Sequence, residues 1–113
     1  MVSVNGMYTE GEEMKFAYRE VTTTTTATAN DRVIGVDTSS NAVTVTLPSA
    51  ASVRTGFLLT IKDIGGNAET TGRNITVSRG NGDTIDSFAN VTLNAEYGAI
   101  SVVSNGAHKW HVH

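Results

Sequence analysis

A chain of 113 residues with a net charge of −3, no cysteine and 6% aromatic residues has room for one domain and a modest core built from Val, Ile, Leu and Ala. It has no Lys/Arg cluster, which argues against a nucleic-acid partner, and without cysteine there is neither disulfide nor thiolate chemistry. No apolar run is long enough for a transmembrane helix, and the opening MVSVNGMYTEGEE lacks the apolar centre of a signal peptide, so no membrane partner is expected.

Residues 1–29 read as an extended N-terminal arm. In residues 1–20, Glu10, Glu12, Glu13 and Glu20 stand against Lys15 and Arg19, so this segment carries −2 of the total charge. Gly6 and Gly11 interrupt any long helix. Its apolar residues are Met7, Tyr8, Met14, Phe16 and Tyr18. Two readings stand side by side: a loose terminus, and an arm that docks on or swaps strands with a neighbouring subunit through those anchors. Thr22–Thr26 is an unbroken threonine run. β-Branching suits it to a strand, but with two equally polar faces nothing inside the run fixes its register. A sheet edge or a partner subunit has to supply it, which makes Thr22, Thr24 and Thr26 candidate interface residues.

Residues 30–113 read as one all-β domain, organised around the stretch from Arg32 to Gly66. Val33–Val36 and Val43–Leu47 flank the polar turn 37–41, and Val43, Val45 and Leu47 alternate with Thr44 and Thr46 at the period of a half-buried strand. Pro48 to Gly56 has the start and stop signals of one helical turn. Phe57–Ile61 is nearly continuous and apolar, as in a central strand buried on both faces. Asn74–Ser78 alternates again, and Ile85, Phe88, Val91 and Leu93 carry the core pattern on in short pieces. A turn at 94–98, a strand over 99–103, a hairpin turn at 104–106 and a last strand over 108–113 complete the sequence. Short strands with turn signals between them predict a single antiparallel β-sandwich or jelly-roll-like domain. Its lean core is better buried with identical copies, so self-association is expected.

Chemistry is sparse. Nucleophilic catalysis needs a base beside the nucleophile, yet His108, His111 and His113 all lie at the C-terminus and no Gly-x-Ser-x-Gly elbow occurs. Asp83 and Asp86, with Asp63 and Glu96, are the carboxylates available for sugar cleavage, but acidic residues beside turns ordinarily cap backbone N–H groups. The phosphate-loop and calcium-loop patterns are absent, and no cofactor is implied. His111 and His113 share a strand face with Lys109, opposite Trp110 and Val112. Two imidazoles make an incomplete metal site in a monomer, whereas three copies on an axis offer six nitrogens; a frayed strand end is the simpler reading. Trp110 reads as core or interface. The sequons Asn74-Ile75-Thr76 and Asn90-Val91-Thr92 read as ordinary strand residues.

From Asn30 to Val112 the sequence resembles a β-rich domain of bacteriophage virion proteins, especially tail-fibre and other trimeric surface proteins. The likeness is carried by Val33-Ile34-Gly35-Val36-Asp37-Thr38, Ala42-Val43-Thr44-Val45-Thr46-Leu47-Pro48, Ile61-Lys62-Asp63-Ile64-Gly65-Gly66-Asn67-Ala68, Asn74-Ile75-Thr76-Val77, Gly82-Asp83-Thr84-Ile85-Asp86 and Trp110-His111-Val112. The resemblance implies a non-enzymatic, often homotrimeric structural module on a phage particle, with no catalytic residues to carry over. A short protein with an arm and no long shaft fits a capsid decoration or cement protein that binds the major capsid protein or other virion proteins. The alternative is a tail-fibre or receptor-binding tip that recognises host surface glycan. Virion assembly in the host cytoplasm accords with the missing export signal.

Overall fold

A computed structural model describes residues 17–113; the candidate anchors Met7, Tyr8, Met14 and Phe16 lie outside the described residues. Ten strands run through it: β1 (Tyr18–Val21), β2 (Thr25–Thr26), β3 (Val33–Val36), β4 (Val43–Thr46), β5 (Leu58–Asp63), β6 (Ile75–Ser78), β7 (Thr84–Ile85), β8 (Asn90–Leu93), β9 (Ala99–Ser104) and β10 (Lys109–Val112). A single 3₁₀ turn, Ala50–Ser52, occupies the segment expected to hold one helical turn. No α-helix occurs among the described residues, so the all-β class stands.

The strands form two sheets, β1-β3-β5-β9-β10-β7 and β2-β4-β6-β8. Their direction corrects the antiparallel expectation. β1 with β3, β3 with β5, β2 with β4, β4 with β6 and β7 with β10 pair in parallel. Only β5 with β9, β9 with β10 and β6 with β8 are antiparallel. The reason lies in the connections. After β1, β3 and β5 the backbone passes to the other sheet instead of turning back on itself, so successive windings stack in the same direction. This winding replaces the hairpin-linked jelly roll. Period-two alternation says which residues of a strand are buried and nothing about the direction of its neighbour.

Both sheets contribute to one core. Ile34 and Val36 of β3, Leu59 and Ile61 of β5, Val102 of β9 and Trp110 of β10 meet Val43 and Val45 of β4, Ile75 and Val77 of β6 and Leu93 of β8. Within the second sheet the rows Val43–Ile75–Leu93 and Val45–Val77–Val91 lie side by side on the inner face, where cross-strand aliphatic contacts stabilise a sheet. Phe57–Ile61 departs from the expectation of two buried faces: β5 is central in its sheet, but Leu58 is 36% exposed, so only one face is buried. Phe88 likewise points away from the core and is 58% exposed.

The threonine run shortens to the two residues of β2, which take their register from the edge of β4 through Thr25–Val45 and Thr26–Thr46. Thr24 Oγ1 accepts the Thr44 N–H at 3.2 Å. Residues 17–29 are threaded into both sheets as their first strands, and Ala27 is buried in the shared core. Arg19 crosses from β1 to grip Asp31, Nε to Oδ1 at 2.8 Å and Nη2 to Oδ2 at 3.1 Å, and donates to Thr26 O at 3.1 Å. This paired, bidentate geometry is the strong form of a charge-assisted bond.

Candidate functional site

The buried carboxylates are the first place to look for chemistry, and each is occupied. Asp63, fully buried at the end of β5, accepts five hydrogen bonds. Its Oδ1 takes the Thr38 hydroxyl at 2.7 Å and the Gly65 and Gly66 N–H groups at 3.1 Å each. Its Oδ2 takes the N–H of Ala68 at 3.1 Å and of Tyr97 at 3.0 Å. Burial pushes this carboxyl up, but the Thr38 hydroxyl and the N–H groups of Tyr97, Ala68 and Gly66 outweigh it and hold the group below the ordinary carboxylate range. Asp83 accepts the Ala50 N–H at 2.7 Å and so fixes the start of the 3₁₀ turn. Asp86 accepts the Val112 N–H at 3.2 Å. Asp83 and Asp86 are thus tied to different backbone segments, each in the capping role that acidic residues beside turns ordinarily take.

His111 Nδ1 lies 3.7 Å from Asp86 Oδ1 with both residues about half exposed. His113 is exposed, and its N–H donates to Ser101 O at 2.8 Å. Among the described residues no group of three or more His, Asp or Glu residues is gathered to hold a metal ion. Trp110, expected in the core or at an interface, is core: it is 0% exposed. Its ring meets Phe57 edge-on with centroids 6.2 Å apart, and its Nε1–H donates to Pro48 O at 3.2 Å. No surface of it is left for a partner.

What the fold does present is an aromatic patch on the outer face of the six-stranded sheet. Register places Glu20, Gly35, Lys62 and Ala99 in one row across β1, β3, β5 and β9, and alternation puts Tyr18 on the same face as Glu20. The Tyr18 ring lies over Gly35: a Cβ there would stand 2.7 Å from Tyr18 Oη and 3.1 Å from Ile64 Cγ2. Tyr18 Oη donates to Glu20 Oε2 at 2.8 Å. At the far end of the row Tyr97 lies over Gly66, its ring centroid 5.4 Å from Lys62 Nζ, which also donates to the Tyr97 carbonyl. Tyr18 and Tyr97 are 52% and 58% exposed.

No family model and no curated protein matches this sequence.

Tyr97 has a left-handed backbone, φ 56, which costs a bulky residue energy unless its surroundings hold it. The holder is Asp63, through the Tyr97 N–H. The buried carboxylate therefore ties three segments together and sets an exposed tyrosine in place. Of the described residues singled out from sequence as interface, Tyr18 alone belongs to this patch. Thr22, Thr24 and Thr26 are exposed; Thr26 lies in β2 at the edge of the second sheet, Thr24 beside it bonds the Thr44 N–H, and Thr22 lies in the bend after β1. Tyr97 reads as a turn residue in Asn94-Ala95-Glu96-Tyr97-Gly98. The available signal is that a large aromatic ring in a tight turn has no core to enter.

Proposed function

We propose that this protein is a non-enzymatic bacteriophage virion component, a homotrimer that binds the major capsid protein or other virion proteins and stabilises the shell, reaching the virion by assembly in the host cytoplasm. The observation that carries the reading is the Asp63–Tyr97 linkage: the buried carboxylate holds turns and displays an aromatic ring on the outer face of the six-stranded sheet. Exposed tyrosines on a rigid support are the residues that anchor interfaces, since they bury large area at low entropy cost. The edge strands β1 and β2 offer a second mode of contact, by strand addition from a neighbour.

The test is co-sedimentation with purified shells of the full-length protein and of the Tyr97→Ser and Tyr18→Ser variants. Shell affinity falls roughly tenfold or more for each variant, as expected for an interface anchor, with the thermal midpoint held. Full binding by both variants removes the patch from the shell contact. Deleting residues 1–16 separately tests the arm, because residues 17–29 belong to the sheets.

The same tyrosines favour a second reading, a tail-fibre or receptor-binding tip for host surface glycan, because an exposed phenol ring stacks on a sugar face. Glycan binding by the isolated protein, lost on Tyr97→Ser and without affinity for shells, selects that reading over the first.

A further inference from the structure

Two Asn-Gly pairs fall among the described residues, Asn81-Gly82 and Asn105-Gly106, and the fold treats them in opposite ways. A third, Asn5-Gly6, lies outside them. Asn-Gly is the pair in which the following backbone nitrogen is least hindered from attacking the asparagine amide, because glycine has no Cβ. We propose that Asn81 is a site of spontaneous deamidation and that the fold protects Asn105 from the same reaction.

At Asn105 all the reacting parts are held. Oδ1 accepts the N–H groups of Ala107 at 2.9 Å, His108 at 3.0 Å and Lys109 at 3.1 Å. Those donors polarise the amide, but the nucleophile is turned away from it: the Gly106 N–H donates to the buried Ser104 Oγ at 2.8 Å. Gly106 is also packed against Thr55, so closely that a Cβ would collide with Oγ1. Moving the nitrogen onto Cγ breaks these bonds together.

At Asn81 none of this is present. Asn81 and Gly82 are both exposed, and both have left-handed backbone, φ 49 and φ 81. A Cβ on Gly82 would have nothing within 4 Å, so there is space for a ring to form. The turn is closed only by the Asp83 N–H on Gly80 O at 3.0 Å. Rotating the two exposed residues at its tip, with no side-chain bond to break and the flanks left in place, is a low-cost local fluctuation.

The reaction needs water alone as co-reactant. The Gly82 nitrogen bonds to Asn81 Cγ, the bond from Cγ to Nδ2 breaks, and ammonia leaves with the proton from Gly82. Water then opens the five-membered imide at either carbonyl, giving aspartate or isoaspartate. Both add one negative charge to the protein. Isoaspartate also inserts a methylene into the backbone of a turn whose flanks are pinned, Gly80 by close packing on the Leu47 carbonyl and Asp83 by its bond to Ala50.

The experiment incubates the full-length protein at mildly alkaline pH, folded and in denaturant, and follows each asparagine by peptide mapping with isoaspartate detection. In the folded protein Asn81 converts roughly tenfold faster than Asn105 or more, the ratio reflecting local opening, and in denaturant the two rates converge. Equal rates in the folded protein, or a folded Asn81 that stays intact while the denatured one reacts, overturn the proposal.

Discussion

Asp63→Ala is expected to cost about 3 kcal/mol or more of folding stability, since a single buried donor left without its acceptor costs about 1–3 kcal/mol and several are stranded here. The substitution leaves the Thr38 hydroxyl and the N–H groups of Gly65, Gly66, Ala68 and Tyr97 without their acceptor. Those donors come from three separate segments, so the loss is shared by the turn after β3, the loop after β5 and the turn before β9. Asp63→Asn keeps the volume and one acceptor oxygen but turns an NH₂ group toward two of the donors, so it costs less and keeps the sign. The pH dependence follows from the same geometry. The folded-state pKa of Asp63 lies below its unfolded value, and so does that of Asp31, where burial is outweighed by the Arg19 guanidinium and the Thr28 N–H. Their contribution is fully present above the unfolded value of about 4 and is lost as the pH falls through the lowered folded values. Urea midpoints measured from neutral to acid pH should therefore decline in the wild type and decline less steeply in Asp63→Ala. A variant within about 1 kcal/mol of wild type at neutral pH leaves the network without its stabilising role.

Trp110→Ala is expected to cost about 3–5 kcal/mol, the usual range for emptying a buried aromatic site. The ring is fully buried, packs edge-on against Phe57 and bonds the Pro48 carbonyl at the entry to the 3₁₀ turn. Losing it uncouples β10 from that turn. Trp110→Phe retains most of the packing and loses the Nε1–H donor, for about 1–2 kcal/mol. Denaturant midpoints measure both. An unchanged midpoint for Trp110→Ala places the ring outside the core and makes it an interface residue again.

The position of the strands was legible because Val43-Thr44-Val45-Thr46 and Ile75-Thr76-Val77-Ser78 alternate cleanly, and tertiary structure had no reason to override them. Their parallel pairing was not legible. It depends on whether the residues after Val36 turn back or pass to the other sheet, and a polar stretch such as Asp37–Asn41 is compatible with either path. Alternation also set Trp110 opposite His111 correctly, yet the same pattern serves a face turned into this core or into a partner. Asp63 was hidden for a different reason. It sits in Lys62-Asp63-Ile64-Gly65-Gly66, a stretch that reads as a strand end entering a loop. Its decisive partners, Thr38 and Tyr97, are 25 and 34 residues away. Sequence spacing reports neighbours along a strand, and this carboxylate works between turns brought together by the winding of the backbone. Tyr97 was missed with it, because a turn residue shows its purpose only once the surface around it is known.

The proposed association of identical copies is the step that would join this architecture to a virion role, and analytical ultracentrifugation of the full-length protein over a wide concentration range tests it most directly. A species of trimer mass that dissociates on dilution and persists in Tyr97→Ser, whose ring faces the shell, is the predicted result. A monomer at every concentration contradicts it, and a trimer lost in Tyr97→Ser sets that ring between copies and takes it away from the shell.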